Sequence, residues 1–123
     1  MAELSEQAGL NQSDFQALVR IVAADGMTGA EVARVLGVSS SSMTELADRL
    51  QRAGLIARTR SSSDRRLVVL RPTARGRRTI ERVLAPLLAG IAGAVQTLGE
   101  DQLVVVGSFL GDVERVLAAI APS

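Results

Sequence analysis

Thr28 and Glu31 stand three residues apart at the head of an apolar run, and no other spacing limits the possible folds of this chain as strongly. In a T-x-x-E order the hydroxyl and the carboxylate each accept from the other's backbone N–H, so a helix is expected to open at Gly29. Val32, Ala33, Val35 and Leu36 mark its buried face, and Gly37 suits the left-handed turn that ends it. Val38 then plugs that turn against the core. Ser39 is a good N-cap for a second helix, with apolar positions Met43, Leu46, Ala47 and Leu50 at helical spacing and a stop at Gly54. Taken alone, the serine run 39–42 reads as a linker; the apolar residues that follow in phase favour a helix start. Two short capped helices around a glycine-containing turn make a helix-turn-helix. In that unit the first residues of the second helix meet base edges in a major groove, and here they are Ser40, Ser41, Ser42, Thr44 and Glu45. Glu45 either reads a cytosine amino group or stands on the helix surface with no base partner.

The stretch after Gly54 adds a second contact element. Leu55 and Ile56 re-enter the core, and residues 56–60 and 66–70 are short β-prone runs joined by Ser61-Ser62-Ser63-Asp64, which predicts a two-stranded hairpin. Arg58, Arg60, Arg65 and Arg66 flank the tip, with Ser62 and Asp64 on the loop itself. A polar loop carrying mobile arginines suits a minor groove, whose negative potential attracts guanidinium groups.

At these residues the chain resembles a known family. GVSSSSMTELADRLQRAGLIAR followed by DRRLVVLRPTARG is similar to the winged helix-turn-helix core of MarR-type transcriptional regulators. The most specific part is Asp64-Arg65-Arg66 with Thr73 and Gly76 behind it, and a looser resemblance extends from Leu10 to the C-terminus. The resemblance implies that the helix from Ser40 to Ala53 is the recognition helix. It also implies that Arg66 enters the minor groove with Asp64 holding its guanidinium. A homodimer with interlocked N- and C-terminal helices is implied as well, as is a repressor released when a small lipophilic or phenolic effector lodges between the winged domain and the dimer helices. Two departures stand out: Glu45 occupies a place where members often carry a basic or polar base-reading residue, and Pro72 replaces a leucine that commonly ends the second wing strand. Set against the same family pattern, the short start of this sequence is expected to hold only a stub of the family's first helix.

Charge is distributed unevenly. Residues 1–48 carry seven acids and two arginines, residues 49–82 eleven arginines and two acids, and residues 83–123 four acids and one arginine. Regional net charges of −5, +9 and −3 therefore lie behind an overall +1. The basic block covers the end of the recognition helix, the wing and the start of the next helix, which is the footprint of a polyanion-binding face rather than of a merely solvated surface. Arg49, Arg52, Arg58, Arg60 and the arginines among residues 75–78 are candidate phosphate contacts.

Around this centre the remaining chain reads as helix. Residues 1–9 are either a helix stub or a frayed end. Asn11 caps a helix to about Ala24 with a stripe of Phe15, Leu18, Val19 and Val22, ended by Asp25-Gly26. Thr73 opens a long helix to about Leu98, which Pro86 is expected to bend. A last helix runs from the break at Gly99 to about Ile120. Leu88, Ile91 and Val95 on the first of these, and Leu103, Val106, Leu110, Val113, Leu117 and Ile120 on the second, form stripes too apolar for one small domain to cover, so homodimerisation through them is expected. The fold class is mostly α with a small β-hairpin wing: a short N-terminal segment (1–10, a truncated dimerisation helix), a winged helix-turn-helix (11–76) and long C-terminal dimerisation helices (77–123).

Composition closes off other functions. With no cysteine or histidine, thiol redox sensing, Cys/His metal sites and Ser-His-Asp catalysis are excluded. The carboxylates show no paired arrangement, so no enzyme, metal or cofactor is expected. Pro86, Gly90 and Gly93 interrupt the uncharged run 83–99, which falls short of a membrane span, and the polar, acidic start shows no secretory signal; a cytoplasmic location is the default. The reading is a homodimeric, sequence-specific binder of double-stranded DNA, with a winged-helix protein-interaction module that no longer reads DNA as the alternative.

Overall fold

The computed structural model describes residues 2–120, except for the side chains of Leu117 and Ile120. Its elements in order are α1 (Ala2–Ala8), α2 (Gln12–Ala24), β1 (Met27–Thr28), α3 (Gly29–Leu36), α4 (Ser40–Arg52), β2 (Ile56–Arg60), β3 (Val68–Pro72), α5 (Ala74–Gln96) and α6 (Glu100–Ile120). Of the two readings left open for the first residues, the helix stub is the one observed.

Short-range chemistry explains where the helices begin and end. Asn11 Oδ1 accepts the Asp14 N–H at 2.8 Å and starts α2, and Asp25, in the left-handed region at φ 53, ends it. The expected capping box is complete: Glu31 N donates to Thr28 Oγ1 at 3.2 Å, and Thr28 N donates to Glu31 Oε1 at 3.0 Å. Those bonds from Thr28, its backbone first, hold the Glu31 carboxyl below its ordinary range. Gly37 at φ 70 ends α3, and Ser39 Oγ accepts the Ser42 N–H at 3.1 Å to start α4. Gly99 restarts the chain for α6, its N–H donating to Gln102 Oε1 at 2.8 Å.

The sheet differs from the expected two-stranded hairpin. It has three antiparallel strands in the order β1-β3-β2, with Met27 opposite Leu70 and Thr28 opposite Val69. β1 is only two residues long and doubles as the entry to α3, so it carries no alternation to announce it. The second wing strand begins at Val68, not Arg66, because Arg65 and Arg66 belong to a tip turn in which Leu67 N donates to Asp64 O at 3.0 Å. Pro72 is tolerated because it closes the ladder opposite Ile56, at the strand's end.

Two apolar faces also shift. On α2 the buried apolar residues are Phe15, Ala17, Leu18 and Ile21, whereas Val19 and Val22 are half-buried. The face is turned toward Ile21 because α2 packs at once on α3, α4 and the sheet. On α3 Val32 is buried with Leu36 beside it, while Val35 is exposed, roughly a quarter-turn off the inner face. Met43, Leu46, Ala47 and Leu50 of α4, then Leu55, Ile56, Leu70, Ile80 and Val83, complete one core.

A tight junction ties the end of α4 to the start of α5. Thr73 Oγ1 donates to Gly54 O at 2.7 Å, Thr73 N donates to Leu55 O at 3.1 Å, and Gly76 N donates back to Thr73 Oγ1 at 3.0 Å. A Cβ at position 76 would lie 2.1 Å from the Leu55 carbonyl oxygen, so only glycine permits this approach.

The chain divides into two compact units, Met1–Leu84 and Ala85–Ser123, at a point inside α5 next to Pro86. Pro86 is accommodated without ending α5, which stops at Gln96, two residues before the expected Leu98. In the second unit Leu88, Ile91, Val95, Leu103 and Leu110 are exposed and Val106 and Val113 half-buried, while the Leu117 and Ile120 side chains lie outside the described residues. Val104, Val105 and Phe109 are exposed as well, and none of the described α6 side chains is fully buried.

Gly76→Ala is expected to lower unfolding stability by about 1–3 kcal/mol or more, the cost of forcing a methyl group into a filled site, as measured by urea denaturation.

Candidate nucleic-acid interface

The exposed side of α4 and the wing tip come from neighbouring parts of the first unit, and their polar groups are engaged to different degrees. At the head of α4, Ser39 Oγ lies 3.0 Å from Ser42 Oγ and 3.2 Å from Ser41 Oγ, and Thr44 Oγ1 donates to Ser40 O at 3.0 Å. The Ser42 and Thr44 hydroxyls are thus tied into the helix start. The Ser41 hydroxyl also leans on Ser39, whereas among the described residues the exposed Ser40 hydroxyl and Glu45 carboxylate make no hydrogen bond within the chain.

The arginines separate into anchored and open ones, a distinction that counting charge along the sequence missed. Arg49 donates from Nε to Asp14 Oδ2 at 3.0 Å and from Nη2 to Asp14 Oδ1 at 2.8 Å, a two-point bond from α4 to α2. That bond favours the charged guanidinium, raising its pKa further, with Glu45 adding a smaller push. Arg58 on β2 donates to Asp48 Oδ1 at 2.8 Å and to Gln51 Oε1, so it ties the wing to α4. Arg77 pairs with Asp25, whose carbonyl also accepts Arg71 Nη1 at 2.9 Å. Arg52, Arg65, Arg75, Arg78 and Arg82 have no carboxylate partner among the described residues. Asp14, Asp48 and Gln51 carried no sequence signal as anchors, and Asp25 was already explained by the end of the helix that Asn11 caps.

The wing tip is a small hydrogen-bonded loop. Ser61 N donates to Leu67 O at 2.9 Å, and Arg60 Nη1 donates to Arg65 O at 2.8 Å. Asp64 sits at its centre, accepting the Arg66 backbone N–H at 3.0 Å and Arg66 Nε at 3.2 Å through Oδ1, and Arg66 Nη2 at a longer 3.4 Å through Oδ2. The Arg66 side chain is 90% exposed even so, a cation held out into solvent and braced from one side. Ser62 is exposed at the crest of the loop.

A concave site of about 790 Å³ opens in the same unit, floored by Leu10, Ala53 and Leu55 and edged by Arg75, Arg78 and Arg82. A smaller one of about 270 Å³ lies between α3, α4 and the sheet, with Met43, Ala47 and Val68 among its walls. Among the described residues no cluster of acids is arranged to hold a metal ion, and no helix is long and apolar enough to cross a membrane.

Bonds from the Arg66 side chain, then from its backbone, hold the Asp64 carboxyl below the ordinary aspartate value of 3.8. Because the depressed pKa belongs to the folded state, this contribution is complete above the ordinary value and is lost as pH falls through the lower one. Arg66 Nε chemical shifts are therefore expected to stay constant across roughly pH 5–8 and to move only in stronger acid. Asp64→Asn should move them at every pH.

Comparison with known proteins points one way. The MarR family model matches residues 8–67, from the end of α1 to the wing tip. The uncharacterized HTH-type transcriptional regulator YcgE of Bacillus subtilis is 29% identical over 113 residues, covering 92% of this chain and 73% of that protein. The HTH-type transcriptional repressor MdtR of Bacillus subtilis is 32% identical over 103 residues, covering 84% of this chain and 66% of its own, so this chain spans about two thirds of that repressor. Among solved structures, Streptococcus pneumoniae FabT in complex with DNA is similar with a TM-score of 0.68 at 25% identity, over 90% of this chain and 78% of that one.

Proposed function

The chain belongs to the MarR family and is a winged-helix transcriptional regulator, and from that premise we propose that it acts as a homodimeric repressor reading a pseudo-palindromic operator. The observation that carries the reading is the wing tip: a highly exposed Arg66, braced by Asp64, on a wing bonded to α4. In this reading Ser40, Ser41 and Glu45 meet base edges in the major groove, and Ser42 and Thr44 shape the helix end that enters it. Arg66 lies in the adjacent minor groove, with Arg60, Ser62 and Arg65 on the flanking backbone.

The case for two copies rests on exposed apolar surface. Leu88, Ile91 and Val95 of α5 and Leu103, Val104, Val105, Phe109 and Leu110 of α6 are exposed in the single chain, an apolar extent that isolated soluble chains rarely leave open. A two-fold dimer would set two α4 helices in successive major grooves about 10 bp apart. DNA held in that way is closed to polymerase, in the compartment where the genome lies, the cytoplasm.

Release by a small effector is supported by the concave site beside α5. Its apolar floor suits a lipophilic or phenolic body and its arginines an acidic oxygen. Such a molecule would act only by binding the DNA-free arrangement more tightly than the bound one.

In a mobility-shift assay with the chain's own upstream DNA, Arg66→Ala is expected to weaken binding to A·T-rich flanks by roughly 1–3 kcal/mol. Unchanged affinity would remove the wing contact. Ser41→Ala and Glu45→Ala are expected to change which sequences survive a binding-site selection. A shift that ignores sequence and disappears at moderate salt would favour a protein-interaction module instead.

A further inference from the structure

Among the described residues Asp14 is the one charged residue in the buried set, only 4% exposed, and its position has no obvious advantage for stability. Taking a carboxylate out of water is unfavourable, and an apolar pair of similar volume would hold two helices together as well or better. A carboxylate that meets a planar guanidinium at two points supplies something an apolar contact does not, since it sets distance and orientation together. Asp14 meets Arg49 in this way, at 3.0 and 2.8 Å, across 35 residues of sequence. Its own backbone N–H is held by Asn11, so the carboxylate projects from the rigid first turn of α2. Arg49 lies one turn beyond Glu45 on α4, between the core residues Leu46 and Leu50.

We infer that Asp14 is a positioning residue for operator recognition: through Arg49 it sets how α4 lies on α2, and it withholds the Arg49 cation from the DNA phosphates. The role rests on the DNA-binding reading above. With Nε and one Nη group engaged, Arg49 belongs to the scaffold, although its side chain is 42% exposed and its sequence position suggests a phosphate contact. Arg52, three residues on and without a carboxylate partner among the described residues, is the matching open cation.

The two kinds of arginine differ in salt dependence. Each phosphate neutralised adds about 0.9 to the slope of log affinity against log salt, so open cations enter the slope and anchored ones do not. The test uses the full chain, its upstream operator duplex and a scrambled duplex of equal length, with fluorescence anisotropy over a salt series. Arg52→Gln is expected to reduce the slope by about 0.9. Arg49→Lys keeps a charge against Asp14 and loses only the two-point geometry. It is expected to leave slope and melting temperature nearly unchanged while lowering the operator-to-scrambled affinity ratio about tenfold, the size of one lost base contact. Asp14→Asn is expected to steepen the slope by about 0.9 as Arg49 is released, and adding Arg49→Gln to it should restore the wild-type slope but not the ratio.

An Arg49→Lys ratio equal to wild type, or an Arg49→Gln slope reduced as much as that of Arg52→Gln, overturns the role. Where Asp14→Asn does not fold, Arg49→Lys decides. A wild-type chain that binds neither duplex overturns the DNA-binding reading and this role with it, whereas normal wild-type binding with an unaltered Arg49→Lys ratio overturns this role alone.

Discussion

The first turn of α5 lies so close to the Leu55 carbonyl that residue 76 has no room for a side chain, and the arrangement of the first unit depends on that approach. Thr73 supplies its polar half, bonding Gly54 and Leu55 on one side and capping α5 on the other. Four elements meet there: the end of α4, the start of β2, the end of β3 and the start of α5. A wing attached only through its strands would be free to swing. Tied at its base by this junction and again by Arg58 to Asp48 and Gln51, it holds its tip in a set relation to α4. The proposed reading of two adjacent grooves would need that relation, since misplacing either contact forfeits the other.

Charge is organised by the same logic. The basic block from residue 49 to residue 82 is not a uniform field, because several of its guanidinium groups are committed to carboxylates or carbonyls. Arg49, Arg58 and Arg77 brace elements against one another, and Arg66 pairs with Asp64 two residues away within the wing tip while 90% of its side chain stays exposed. The cations left open run along the end of α4, the wing tip and one side of α5. On the proposed DNA-binding reading, this division between braced and open arginines would bear on affinity more than the net charge does, because only cations able to approach phosphates displace counterions.

Beyond Leu84 the physics changes. The first unit closes a core of its own, whereas the second presents Leu88, Ile91, Phe109, Leu110 and their neighbours to solvent. Exposed apolar surface of this extent marks interaction sites, and at Gly90, Gly93 and Gly107 no atom of the chain stands near where a side chain would begin. The boundary falls beside Pro86, where a missing backbone donor already weakens α5.

Much of this was legible in the chain as written. Asn11, Thr28 with Glu31, Gly37, Ser39 and Thr73 each act on backbone groups within three or four residues, so the helices, their order and the helix-turn-helix follow from local chemistry. The wing tip was legible too, as arginines around a serine-rich turn. Tertiary structure alone decided the rest. It added β1, whose two residues have no pattern of their own, moved the second wing strand to Val68, and turned the α2 face toward Ile21. Above all it chose a partner for each arginine, because a carboxylate 35 residues away leaves no periodic trace in the sequence. Local spacing specifies backbone hydrogen bonds, whereas only packing brings a distant side chain within 3 Å of another.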